Sequence, residues 1–128
     1  ARADRAVVEA FLTASREGDI AGLVAVLAPG VALTADAAAL AMGAERYLGA
    51  PGDDGETLAA GPDAVAGAFA GRAPAAQVAT IDGAPGAVWM HGERVRVAFV
   101  FTVDDGRVTG IRLVADPAAH AAMSIVPG

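Results

Sequence analysis

Apolar residues recur at helical spacing at the start of the chain. Within residues 3–17 they form one stripe, with charged residues on the opposite side, which predicts an amphipathic helix. Gly18 is suited to end this helix, and Asp19 is suited to cap a second helix that continues through Leu27. Pro29-Gly30 then ends the second helix. The pattern therefore predicts a helical hairpin joined by a tight turn.

Later segments alternate between apolar and polar residues, which is typical of strands. The predicted strands are 31–36, 77–81, 87–91, 94–103 and 107–115. Turns predicted at Pro85-Gly86 and at 104–106 connect neighbouring late strands directly, with no helix between them. Direct connections of this kind favour an antiparallel meander over a parallel α/β fold.

The remaining segments follow neither of these two patterns. Residues 37–61 are rich in glycine and proline and predict a long loop with one helical turn around 45–48. A third helix is predicted at 62–69, where a proline occupies the first turn. After Pro117 ends the last strand, residues 118–123 predict a short helix followed by a fraying tail. The whole pattern is α+β, with helices packed on one face of a curved antiparallel sheet.

The strand predicted at 94–103 is apolar on both faces over part of its length. Val97, Phe99 and Phe101 share one face, and Ala98 and Val100 share the other. A sheet that is apolar on both faces must be covered twice. We expect the second cover to be another subunit, another domain or the wall of a cavity, and a homodimer through this outer face is one such arrangement.

Composition narrows the possible functions. The 128 residues suffice for a single domain, spanning 1–128. Nine basic residues, all arginine, stand against 15 acidic ones, and the resulting net charge of −6 argues against direct nucleic-acid binding. The absence of cysteine excludes disulfides and thiolate metal sites, and no apolar run is long enough to span a membrane. We expect a cytoplasmic protein without metal or cofactor, and the first residue, Ala1, indicates a trimmed start or a piece of a longer chain.

Asp36, at the end of the first predicted strand, is the main candidate for chemistry. A carboxylate whose pKa is raised by burial would act as a proton-abstracting base, whereas a strand-end aspartate more often caps the following turn. Trp89 and His91 share one face of a strand, and His91 would act as acid, base or hydrogen-bond donor. The predicted ligand pocket consists of Asp36, Tyr47, Trp89, His91, Phe99 and Phe101. The alternative places Trp89 in the core and His91 at an exposed turn.

Three further polar residues have both a functional and a structural interpretation. Tyr47, in the long loop, would either donate a hydrogen bond to a bound carbonyl or anchor the loop by packing. Asp116, before Pro117, is expected to bond the backbone of the tail and fix its direction. His120 lies four residues after Asp116, a spacing that indicates a pair supporting the local helix. No set of residues resembles a metal site or a nucleotide-binding motif.

Several strings in the chain resemble those of a known superfamily. Val-Glu-Ala-Phe-Leu at 8–12, Arg-Glu-Gly-Asp at 16–19 and Val-Ala-Leu-Thr-Ala-Asp at 31–36 are similar to the cone-shaped ketosteroid isomerase and SnoaL-like proteins. Phe-Thr-Val-Asp-Asp-Gly-Arg-Val at 101–108 and Leu-Val-Ala-Asp-Pro at 113–117 resemble one branch, the C-terminal domain of sigma-J-like extracytoplasmic-function sigma factors. That family usually carries Asp-Gly-Gly-Gly-Lys after the first strand, and only the aspartate, Asp36, is kept here.

The resemblance implies a cone in which a curved sheet is wrapped by three helices from the N-terminal side. It further implies a bacterial regulatory domain that contacts the sigma core regions and RNA polymerase, with Asp36, Asp116 and Pro117 as the contact residues. The alternative is a free-standing SnoaL-like isomerase, cyclase or epoxide hydrolase that acts on a small apolar substrate with Asp36 as its base. We favour the regulatory role, because the polar residues are too few for a convincing acid–base pair.

Overall fold

The predicted helical hairpin opens the fold in the computed structural model, which describes residues 2–41, 57–70, 76–92 and 94–127. The helices are α1 (Arg2–Glu17), α2 (Ile20–Val26), α3 (Ala37–Ala41), α4 (Pro62–Phe69) and α5 (Pro117–Ala122), and the strands are β1 (Leu27–Ala35), β2 (Thr57–Ala60), β3 (Gln77–Ile81), β4 (Ala84–His91), β5 (Arg94–Asp104), β6 (Arg107–Val114) and β7 (Ile125–Pro127). The predicted α+β class is confirmed, with helices packed against a curved, open sheet.

Local sequence signals explain the turn inside the hairpin. Gly18 has a φ of 69°, a left-handed conformation that glycine adopts without strain. The Asp19 carboxylate then accepts a hydrogen bond of 3.0 Å from the Gly22 N–H and caps α2. The second helix is shorter than predicted: Leu27 already has extended backbone angles and begins β1. Pro29-Gly30 lies within β1 and does not end the helix.

Seven strands form one sheet in the order β2-β1-β6-β5-β4-β3-β7. All neighbouring pairs are antiparallel except β1 and β6, which run parallel, so the predicted antiparallel sheet contains one parallel pair. The prediction of a continuous loop over 37–61 is wrong at both ends, where α3 and β2 form. The helical turn predicted around 45–48, together with Tyr47, lies outside the described residues.

Two Asp-Gly turns set the register of the late strands. Asp82 and Gly83 have φ values of 51° and 82°, and Asp105 and Gly106 have values of 53° and 77°. Positive φ at both central residues defines the type I′ turn, whose twist matches that of a hairpin. The turn predicted at Pro85-Gly86 is wrong, because both residues lie within β4 and pair with β3.

The core lies between the helices and the concave face of the sheet. Four aromatic rings form its centre: Phe11 packs edge-on against Phe69 at 5.0 Å and against Phe101 at 5.3 Å, and Phe69 lies 6.2 Å from Phe99. Edge-to-face contacts of this kind add to the stabilisation from burial alone. The same face of the sheet buries Leu33 and other aliphatic residues of β1 and β6.

The opposite, outer face of the sheet has a smaller core of its own. Ile81, Ala98 and Val114 are buried there, beneath Met123 and Ile125 of the C-terminal segment. The chain's own C-terminal segment, through Ala119 of α5, Met123 and Ile125, therefore covers this part of the sheet, and the sequence pattern did not predict that cover. The tail that was expected to fray instead pairs with β3 as a strand. The expected homodimer through this face stays a prediction.

No helix within the described ranges is long and apolar enough to cross a membrane.

Candidate functional site

Asp36 lies where β1 ends and α3 begins, and its carboxylate is fully engaged by the backbone. One oxygen accepts a 2.8 Å hydrogen bond from the Ala39 N–H, which caps α3. The N–H of Ala115 donates to both oxygens at 3.2 and 3.1 Å, and the N–H of Asp116 donates to the second oxygen at 3.1 Å. The side chain thus fastens the β1–α3 junction to the β6–α5 junction.

The electrostatics of Asp36 follow from these contacts. Partial burial by itself would raise the pKa of the carboxyl. The N–H donors of Ala39, Ala115 and Asp116, together with the positive charge of Arg112, outweigh burial and hold the pKa below its ordinary value of 3.8. A base that must take a proton near neutral pH needs the opposite shift. In this arrangement Asp36 is an ionised structural anchor.

Asp116 and His120 form the second part of this region, around α5. The Asp116 carboxylate accepts a 2.9 Å hydrogen bond from the Ala118 N–H and caps the helix. His120 Nε2–H donates to the carbonyl oxygen of Val114 at 2.6 Å, which holds the helix against the end of β6. The expected side-chain pair between Asp116 and His120 does not form, because each side chain is satisfied by a nearby backbone group. Pro117 is the first residue of the helix and is exposed.

Of the residues proposed to line a ligand pocket, the structure describes the side chains of Asp36, Trp89, Phe99 and Phe101. Phe99 and Phe101 are buried in the aromatic core, against Phe69 and Phe11. Trp89 pairs with Val97 in the sheet and remains 40% exposed. None of the hydrogen bonds made by the described residues links Asp36 to these aromatic side chains. The side chain of His91 lies outside the described residues.

The structure forms a groove on the outer face, whose position the sequence pattern does not define. It has a volume of about 780 Å³ and lies between the start of β5 and the C-terminal segment. Its walls include Arg94, Val95, Arg96, His120, Met123 and Ile125. Along 94–103, the residues on the outer face change from charged to apolar. This change predicts that part of the outer face is covered, but it does not predict which segment covers it.

Candidate metal ligands are scattered among the described residues. Among the residues that the structure describes, no group of three histidine, aspartate or glutamate side chains is close enough to hold an ion. Asp36 and Asp116 both direct carboxylate oxygens to N–H donors.

Comparison with known proteins yields similarity in structure alone. No family model and no curated protein matches the chain. Among solved structures it is similar to the extracytoplasmic function sigma factor SigJ of Mycobacterium tuberculosis, at 22% identity and a TM-score of 0.55, over 91% of this chain and 43% of that one. The chain therefore spans less than half the length of this sigma factor.

Two shorter proteins match over nearly their whole length. An NTF2-like protein of unknown function from Burkholderia pseudomallei is 18% identical with a TM-score of 0.52, covering 94% of this chain and 95% of its own. The Δ5-3-ketosteroid isomerase from Mycobacterium sp. is 17% identical with a TM-score of 0.51, covering 97% and 98%. The chain has the NTF2-like fold shared by SnoaL-like and ketosteroid-isomerase-like proteins, as the resemblance predicted.

Proposed function

We propose that this chain is a regulatory domain of an extracytoplasmic-function sigma factor, which modulates transcription initiation in the cytoplasm through contacts with the sigma core and RNA polymerase. The state of Asp36 carries the proposal. An aspartate held ionised by three backbone N–H groups supports a role in building a contact surface, because such a group is a poor acceptor for a substrate proton. Similarity to the sigma factor SigJ supports the choice of partner.

The proposed contact surface is the junction that Asp36 fastens. Asp116 and Pro117 are exposed there, at the start of α5, and are held in place by the hydrogen bond from Asp116 N–H to Asp36. A surface fixed in this way loses little entropy when it binds a partner. The net charge of −6 favours contact with basic protein surfaces, such as those that bind DNA.

The first test is the coding sequence of the parent gene upstream of Ala1. We expect it to encode the helical, arginine-rich sigma regions. An initiator methionine directly before Ala1 would overturn the proposal.

The second test is transcription by RNA polymerase core enzyme with the parent sigma factor, intact or lacking this domain. We expect removal of the domain to change transcript yield several-fold. Asp116→Asn should move the yield toward that of the truncated protein, since asparagine preserves the helix cap but removes the charge at the proposed contact. Asp63→Asn removes one exposed carboxylate at the start of α4 and serves as the matched control. Equal yields from the intact and truncated proteins would contradict a regulatory role.

A second candidate is a SnoaL-like enzyme acting on a small apolar substrate. Similarity to the ketosteroid isomerase favours it. The exposure of Trp89 also favours it, because Trp89 lies two residues after Ala87, on the same face of the strand, and Ala87 belongs to the core. Asp36→Asn tests this candidate in an isomerase or hydrolase assay, because asparagine cannot take the proton. If Asp36 acts as the base, the variant loses product formation, and unchanged turnover would remove Asp36 from the mechanism.

A further inference from the structure

The groove on the outer face lies beside an irregularity in β5. Trp89 pairs with Val97 and Met90 pairs with Val95, so Arg96 is an extra residue that forms a β-bulge. In a regular strand Arg94 and Arg96, two residues apart, lie on the same face, and Val95 lies on the opposite one. The bulge interrupts this alternation, and all three residues line the groove. Two arginines therefore stand at one wall of the groove.

The two arginines form a locally basic site on an acidic protein. Arg94 and Arg96 are exposed, and neither makes an ion pair or hydrogen bond with any described residue. The described carboxylates at this end of the sheet, Asp36 and Asp116, accept hydrogen bonds from backbone N–H groups. Among the described residues, none occupies the guanidinium donors of Arg94 and Arg96. Arginine binds carboxylates well because its planar fork matches their two oxygens.

Apart from the two arginines and His120, the residues that line the groove are apolar. Val95 forms part of the sheet side, and Met123 and Ile125 form part of the C-terminal side. The groove has a volume of about 780 Å³ and is widely open to solvent, so it suits a ligand that lies along the surface and stays partly exposed. Methionine adapts readily to ligands of different shape. A ligand that fits these features has a charged end and an unbranched apolar body.

We propose that this groove binds a monocarboxylate with a hydrocarbon chain of medium length, of the fatty-acid class. The carboxylate lies against Arg94 and Arg96, and the chain lies between β5 and the segment that carries Met123 and Ile125. This site is on the outer face of the sheet, away from the aromatic core, and does not depend on the proposed regulatory function.

Binding is tested by titrating the protein with hexanoate, octanoate and decanoate below their micellar concentrations, followed by calorimetry and by methyl NMR of Met123. We expect each added pair of methylene groups to tighten binding by up to about tenfold, as burial of apolar surface predicts. Decanol, which has the same chain without the charge, should bind at least about tenfold more weakly than decanoate. The Met123 methyl signal should shift on addition of either ligand.

The double variant Arg94→Gln with Arg96→Gln separates the charged site from simple apolar binding. Its affinity for decanoate should fall to that of decanol, and its affinity for decanol should not change. Arg107→Gln is the matched control, because Arg107 begins β6 at the opposite end of the sheet and is also exposed. Affinity that does not depend on chain length, or an equal loss in the Arg107→Gln variant, would overturn the proposal. Binding that shifts only signals of the aromatic core would also overturn it.

Discussion

The Asp36 carboxylate holds N–H groups that lie 79 and 80 residues further along the chain, at Ala115 and Asp116, as well as one in the next helix. An N–H group without a partner away from water costs about as much as a lost hydrogen bond. β6 ends at Val114, so these two N–H groups have left the ladder of the sheet and need an acceptor elsewhere. A short side chain with two acceptor oxygens is suited to this position, which explains why an aspartate stands there.

Replacing this anchor should weaken the whole domain. Asp36→Ala removes the acceptor of three N–H groups, and we expect a loss of about 2 kcal/mol in the free energy of unfolding. Urea denaturation measures it. Asp19→Ala is the matched control, since Asp19 caps α2 through the single N–H of Gly22 and is exposed. If the two variants lose equal stability, Asp36 is an ordinary helix cap and does not join the two junctions.

The lowered pKa of Asp36 predicts a definite pH dependence. Because the pKa is lower in the folded than in the unfolded protein, the contribution of the ionised carboxylate is fully present above the ordinary value of 3.8. It is lost as the pH falls through the folded value. The difference in stability between the wild type and Asp36→Asn should therefore be constant near neutral pH and shrink in acid. Urea denaturation as a function of pH, with a carboxyl NMR titration, measures both quantities, and a difference that grows in acid would contradict the assignment.

At the scale of elements, α5 depends on its surroundings. A helix of six residues has too few internal hydrogen bonds to be stable alone in water. The Asp116 cap holds its start, and the His120 ring fixes it to Val114. The small outer core fixes the segment that follows it, through Met123. The helix is therefore a cover that folds because the sheet beneath it is apolar.

A charge placed between the C-terminal segment and the sheet should lower the free energy of unfolding. Met123→Asp puts a carboxylate against Ile81, Ala98 and Val114, and we expect a loss of about 2 kcal/mol in the free energy of unfolding. Val126→Asp is the control in the neighbouring strand, where the side chain is 57% exposed and the expected loss is within about 0.5 kcal/mol. Thermal denaturation compares them. Equal losses would mean that the C-terminal segment does not cover the sheet.

Two glycines in regular elements should respond to alanine in opposite directions. A Cβ at Gly86 would stand 2.9 Å from the Phe99 carbonyl oxygen in the neighbouring strand, so Gly86→Ala should destabilise the domain by about 1–3 kcal/mol. A Cβ at Gly67 in α4 meets nothing within 4 Å, so Gly67→Ala should stabilise it by about 0.5–1 kcal/mol. Chemical denaturation measures both variants. A neutral Gly86→Ala would show that β4 and β5 are farther apart than described.

The elements that the sequence predicts well are those with a strong local signal. The apolar stripe of α1 and the proline that starts α4 are examples. The missed turn at Asp82-Gly83 had such a signal, but the neighbouring Pro85-Gly86 offered a competing one. The sequence of β2 has no local strand signal, because its four residues form a strand only through pairing with β1. The Asp36 anchor and the outer groove depend on contacts between distant segments, which periodicity does not reveal.

At the scale of the whole molecule, charge is unevenly arranged. The chain carries 15 acidic and nine basic residues, yet Arg94 and Arg96 stand together at one groove. The only ion pair between described residues joins Arg5 and Glu9 across 3.9 Å on the surface of α1, and such exposed pairs stabilise little. Among the described residues, carboxylates stabilise the fold mainly by accepting backbone hydrogen bonds, as Asp36 and Asp116 do, and not through ion pairs with other side chains.

This excess of negative charge predicts how the domain associates with the partner proposed for it. If basic surfaces of the sigma regions are attracted to it, the association rate should fall as salt screens the charges, because the Debye length shortens from about 10 Å at 0.1 M to about 3 Å at 1 M salt. We expect the rate to fall by about tenfold over this range while dissociation changes less. Surface plasmon resonance with separately produced sigma regions measures both rates.

Asp63→Asn, away from the proposed contact, should change the association rate slightly, whereas Asp116→Asn should also speed dissociation. Association that is insensitive to salt would mean that apolar contacts bring the two proteins together and that the acidic surface has another role.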